Sequence, residues 1–141
     1  MPVTWAKKMI DVGIIVGSES DMPVMDFCRE VLVDNYIEFD NTVLSAHRNP
    51  HKVYEWVTDA PKRGNKVIIA AAGMSAALPG VVAAYTHLPV IGVPMKSDLN
   101  GLDSLLSISQ MPSGVPVACM SIGKAGAINA AWFAIRILKL T

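Results

Sequence analysis

Charge is scarce in this chain. Only 17% of its 141 residues are Asp, Glu, Lys or Arg, and 12 basic residues balance 12 acidic ones. With no net charge and no basic block, bulk electrostatic attraction to nucleic acid is argued against. Cysteine is scarcer still, with Cys28 and Cys119 far apart in apolar contexts. That spacing offers no disulfide framework and reads as reduced, buried thiols, so a cytoplasmic location is the default expectation. Long hydrophobic runs are missing, because Gly, Pro, His and Asp recur throughout, and no stretch reaches the length of a bilayer span. The opening MPVTWAKKMIDVGIIVG has two lysines and only a short apolar stretch, which reads as a first strand and not as a signal peptide. No GxGxxG or GxxxxGK[ST] pattern occurs, which lowers the case for dinucleotides and ATP. No Cys, His, Asp and Glu residues fall at metal-ligand spacing, and no serine elbow or nucleophilic cysteine appears, so neither a metal nor a covalent intermediate is expected.

What the chain has is apolar residues, 52% of the total. Such a chain forms one domain with a real core, and its low charge suggests that other subunits cover part of its apolar surface. Runs of strand length alternate with helical patterns. Val12–Val16 is a strand stopped by Gly17 and Ser18. A helix follows, with Ser20 or Asp21 as N-cap, Pro23 in its first turn and Met25, Cys28, Val31 and Leu32 on one face. Ile37–Leu44 reads as the second strand, and Asn49-Pro50 starts a helix that carries Val53, Trp56 and Val57. Val67–Ala72 is uniformly apolar, hence a strand covered on both faces. A small-residue helix over SAALPGVVAAY, a strand at Pro89–Val93, a short helix at Asp103–Ser109, a strand at Pro116–Ser121 and a helix at Gly126–Leu140 complete the order. Repeated strand-helix alternation without linkers predicts an open parallel sheet with helices on both faces.

Ligands in such sheets bind beyond the carboxyl ends of the strands. Three successive strand-to-helix loops, GSESD, SAHRNP and AGMSAALPG, hold nearly all the turn-forming, titratable and hydroxyl residues of the first half. In the first, backbone N–H groups and hydroxyls at a helix start suit a phosphate, or serve simply as caps. Asp21 would repel a phosphate, so a sugar hydroxyl is its better partner. In the second, Arg48 can grip a phosphate with its fork of donors. His47 is the histidine of a strand-to-helix loop, whereas His51 lies a turn into a helix and His87 between a helix and a strand. Beside Ser45 and Arg48, His47 is the candidate general acid or base. In the third, Gly73, Ser75 and Gly80 allow close backbone approach, and the alanines leave room for a planar ligand. The chemistry this set supports is proton transfer on a phosphorylated small molecule.

Together GSESD, SAHRNP, GLDSLLSISQMPSGVPVA and IGKAGAINAA, in this order from about Val12 to Leu138, resemble the N5-carboxyaminoimidazole ribonucleotide mutase (PurE) family of purine biosynthesis. The resemblance implies a flavodoxin-like three-layer α/β/α sandwich, one domain over residues 1–141 with an N-terminal extension of residues 1–11, and assembly into a homo-octamer. It implies an isomerase that moves a carboxylate from N5 to C4 of the aminoimidazole ring without metal or other cofactor, and without nucleic-acid or membrane partners. By motif, His47 becomes the acid/base. Ser18, Asp21, Ser45 and Arg48 match positions that bind the ribose phosphate of the substrate, and the backbone around Ala72, Gly73 and Leu78 faces the carboxylate and ring.

The sequence departs from the family pattern at Ala77, where a second histidine is common, and it lacks the C-terminal helical tail with which many relatives cover a neighbouring subunit. A related branch carboxylates aminoimidazole ribonucleotide directly with CO2, but its third loop more often reads GRSN, and the LPG and QMPSGVPV segments favour the mutase branch. A non-catalytic flavodoxin-like module is the alternative from another class. It would need flavin-stacking aromatics, yet Trp5, Trp56 and Trp132 lie outside the loops, or an acidic cluster that Asp11 and Asp21 alone do not supply.

Overall fold

The computed structural model describes residues 9–140. Trp5 and most of the expected N-terminal extension lie outside the described residues, as does Thr141. Strands and helices alternate along the chain, except that two helices follow β2: β1 (Val12–Val16), α1 (Met22–Asp34), β2 (Phe39–Val43), α2 (Pro50–Thr58), α3 (Ala60–Arg63), β3 (Val67–Ala72), α4 (Leu78–Ala84), β4 (Val90–Pro94), α5 (Leu102–Ser109), β5 (Ala118–Cys119) and α6 (Lys124–Leu138). All strands pair in parallel, in the order β2-β1-β3-β4-β5. That order is flavodoxin-like, and the direction of winding reverses between β1 and β3.

Two hydrophobic layers hold the helices to the sheet. On one face Val12, Ile14, Val16, Val67, Ile69, Ile91 and Val93 pack against Met25, Cys28 and Leu32 of α1 and the alanine face of α6. Ala127, Ala130, Ala131 and Ala134 recur at helical spacing with no exposed surface, so α6 lies close against α1 and the sheet. On the other face Ile15, Ile68, Ala70 and Val90 meet α2 to α5 through Val53, Val57, Leu78, Val82 and Ile108. Each fully buried isoleucine contributes about 1.5–3 kcal/mol relative to exposure. The central strands β1, β3 and β4 are buried at every residue, as their continuous apolar sequence requires.

Edge strand β2 is only half-buried, and its polar residues are tied to both helix layers. Asp40 accepts an ion pair from Arg63 Nε at 2.9 Å, and the Arg63 guanidinium stacks 4.4 Å over Trp56. Its neighbour Asn41 points to the opposite face and accepts from Arg29 of α1 at 3.1 Å. A one-residue slip would send each side chain to the wrong arginine, so the register of β2 is pinned from two sides. Gly13, opposite Asp40, leaves room for this cluster, since a Cβ there would come within 2.5 Å of Asn65 Oδ1.

Several boundaries differ from the sequence expectations. Before α1, Glu19–Asp21 form one 3-10 turn capped by Ser18, whose hydroxyl accepts from Ser20 N at 3.3 Å. Asp21 occupies the cap position of α1 without a side-chain bond, and Ser20 caps nothing. The helix expected from Ser75 starts at Leu78, because residues 75–77 are spent on tight turns. Helix α3 was not expected, since no element was placed between the helix from Asn49-Pro50 and the strand Val67–Ala72; Pro61 and Gly64 begin and end it, with Gly64 at φ 89°. The expected strand Pro116–Ser121 shrinks to Ala118–Cys119 at the sheet edge. Trp56 is half-buried beneath Arg63 and does not share the full burial of Val53 and Val57. Cys28 is buried as expected, whereas Cys119 is only half-buried.

Candidate active site

The carboxyl ends of β1, β2, β3 and β4 surround a cavity of about 540 Å³. It lies over the reversal between β1 and β3, where open α/β sheets take their ligands. A volume of this size suits a small organic ligand. Ser18 and Asp21 enter it from the loop after β1, Ser45, His47 and Arg48 from the loop after β2, and Ala72, Gly73 and Leu78 from the end of β3 and the loop beyond. All the site residues expected from sequence therefore meet in one cavity.

Local bonds shape each loop. After β1, Gly17 N donates to Ala71 O at 2.9 Å, which ties the first loop to β3. Ser18 and Ser20 hydroxyls lie 2.9 Å apart, so two hydroxyls converge near the start of α1. Asp21 is half-buried, and burial raises its carboxyl above the usual value of 3.8. After β2, Ser45 Oγ accepts from His47 N at 3.3 Å and Arg48 N at 3.1 Å, while Asn49 Oδ1 accepts from Ser45 N at 3.3 Å. Ser45 and Asn49 thus fold the loop on itself. The His47 and Arg48 side chains are left exposed toward the cavity, and neither is engaged in an ion pair among the described residues. After β3, Gly73 backs onto Met95, whose Cβ would lie 3.4 Å from a Cβ on Gly73.

The loop after β4 was missed by the sequence reading. Lys96 and Ser97 line the same cavity, and so does Met74. The signal was available: Lys96 and Ser97 follow an apolar strand just as the other loops do. Met95 beneath them is anchored by the buried Ser104, whose hydroxyl donates to Met95 O at 2.6 Å. The arrangement offers a hydroxyl-rich end, two fixed cations, one histidine and a small-residue floor.

A family model described as AIR carboxylase matches residues 11–141. The chain belongs to the AIR carboxylase family. Within that family it is 55% identical over 133 residues to the N5-carboxyaminoimidazole ribonucleotide mutase of Pyrococcus abyssi, covering 94% of this chain and 75% of that protein. It is 56% identical to the phosphoribosylaminoimidazole carboxylase of Candida albicans over 90% of this chain, but over only 22% of that much longer protein. The crystal structure of Treponema denticola PurE superposes with a TM-score of 0.80 at 32% identity, covering 92% of this chain and 80% of that one. The AIR carboxylase fold is thus the three-layer sandwich described above. No helix among the described residues is long and apolar enough to cross a membrane.

Proposed function

We propose that the protein is an N5-carboxyaminoimidazole ribonucleotide mutase, an isomerase of purine biosynthesis that moves the carboxylate from N5 to C4 of the substrate. The observation that carries this reading is the meeting of His47, Arg48 and the Ser18–Asp21 loop in one cavity of a family member. Ser18, Ser45 and Arg48 bind the phosphate, with the start of α1 adding backbone N–H groups and its dipole. Asp21 accepts from a ribose hydroxyl. The backbone at Ala72, Gly73 and Leu78 faces the ring and the carboxylate.

The reaction then needs one proton, moved twice. Protonated His47 gives its proton to N5 as the N5–carboxyl bond breaks, and the bonding pair stays on nitrogen. CO2 and aminoimidazole ribonucleotide remain side by side. The electron-rich C4 attacks CO2, forming the new C–C bond, and neutral His47 takes the C4 proton. The histidine ends as it began, so no cofactor is consumed. Confinement decides the outcome, because CO2 that escapes leaves the nucleotide uncarboxylated.

Direct carboxylation of aminoimidazole ribonucleotide by CO2 is the second reading, supported by the name of the Candida albicans relative. Purified protein supplied in parallel with the N5-carbamate, or with bicarbonate and aminoimidazole ribonucleotide, separates the two. The mutase makes the C4-carboxylated product from the carbamate at submillimolar concentration, and the carboxylase reading takes over if only bicarbonate supports turnover. We further infer that copies of the chain assemble, with the octamer as the expected form, and that the enzyme works in the cytoplasm. The exposed Trp132, Phe133, Leu102 and Leu106 support assembly.

A further inference from the structure

Met74 has the wrong conformation for its side chain. Its φ is +58°, in the left-handed region that costs little only for glycine. The loop around it cannot relax easily: Ala76 N donates to Met74 O at 2.9 Å and Ala77 N to Ser75 O at 2.7 Å, two successive three-residue turns. The side chain is also in an unfavourable place for an apolar group, since Met74 is 61% exposed at the cavity wall. Its neighbours Gly73, Ala76 and Ala77 carry at most a methyl group. Beside the nearly buried Leu78, Met74 is therefore the one long apolar side chain that stands exposed from this loop at the cavity. Strain held at a ligand loop points to a role there.

The proposed reaction supplies that role, and the inference rests on the mutase reading. Once N5 loses its carboxyl group, the fragment to be kept is CO2, which is neutral and small. Arg48 and Lys96 exert no net Coulomb pull on a neutral molecule, so walls must retain it. We infer that Met74 lays its thioether across the imidazole ring of the bound substrate and closes the β3 side of the cavity over the freed CO2. It acts as a positioning residue, setting the fraction of CO2 that returns to carbon. Sulfur packs well against aromatic rings, and an unbranched chain with three rotatable bonds swings aside for entry and release.

The test compares Met74→Gly, Met74→Ala and Met74→Leu with the native enzyme. The readout is free aminoimidazole ribonucleotide released per C4-carboxylated product, with carbamate as substrate and uncatalysed decay subtracted. Met74→Gly relieves the left-handed strain and is expected to melt higher, yet to release several-fold more free nucleotide. Met74→Ala should leak similarly, and Met74→Leu should recover most of the coupling. A native-like ratio in Met74→Gly and Met74→Ala overturns the inference. So does a changed ratio accompanied by loss of the native solution mass, which would make Met74 a contact between copies. Native enzyme inactive on the carbamate would instead refute the mutase reading itself.

Discussion

Asp21 bears an electrostatic cost for its place in the fold. Burial raises its carboxyl pKa above 3.8, so the fold disfavours its ionised form. A carboxyl raised in the folded state stabilises most below the unfolded value, and that contribution is lost as pH rises through the folded value. Asp21→Asn should therefore raise the melting temperature of the ligand-free protein at pH 7, with the gain shrinking as pH falls toward 3.8. The same change should weaken nucleotide binding, because the carboxylate is the proposed acceptor for a ribose hydroxyl. A lower melting temperature at pH 7 would contradict the sign. His47 shows the opposite separation of stability from function. Its side chain is exposed and, among the described residues, its backbone N–H bonds Ser45 Oγ while the imidazole has no ion pair, so His47→Asn should leave melting unchanged. Turnover of the carbamate should fall by at least about 10²-fold, the usual contribution of a general acid-base group, while product still binds. Turnover retained in that variant would remove His47 from the proposed proton path. Burial also pushes the Cys28 thiol up to about 12, which keeps it protonated and excludes it from nucleophilic chemistry.

Among the elements, α5 has a positioning task that its sequence does not announce. Ser104 is fully buried on this helix, and its hydroxyl ties the end of β4 at Met95, directly before Lys96 in the cavity wall. Ser104→Ala strands the Met95 carbonyl and should cost about 1–3 kcal/mol of unfolding free energy in urea. A neutral result would mean that water or backbone movement satisfies the carbonyl. The task is invisible in sequence because a serine between Asp103 and Leu105 looks like an ordinary helix residue. Strands β1, β3 and β4, by contrast, were legible within one residue, since an uninterrupted apolar run of strand length between turn residues has few other readings. The loops after β1, β2 and β3 were legible from their turn-forming and hydroxyl residues, whereas the loop after β4 was passed over, and the eight expected site residues follow from the first three and from the family motifs. Helix α3 was hidden by Pro61 and Gly64, which signal a turn unless one knows that it packs Ala60 into the core. The reach of β5 was overestimated because alternation persists in PVACMS beyond the residues that find a partner on β4. Met74 was legible only as a residue type; its left-handed backbone depends on the turns that follow it.

At the scale of the molecule, apolar surface is left over. Leu102 and Leu106, one turn apart on α5, are 55% and 47% exposed, and Trp132 and Phe133 stand out from α6 at 43% and 39%. Adjacent apolar groups of that size mark surfaces for association. Light scattering should give a mass well above the 15.1 kDa of one chain, with eight copies as the expected form. A mass of a single chain would leave these side chains without an explanation. The strand order has a further consequence, in time. Parallel neighbours cannot be joined by hairpins, so every pairing in the sheet waits for a crossover to close, and such topologies fold slowly. Walls of the cavity come from four strands, and the buried face of α1 is completed only by α6, near the end of the described chain. A nascent chain that has already displayed His47 to the solvent still has no cavity in which to use it. Binding competence thus waits for segments of the chain far downstream of His47.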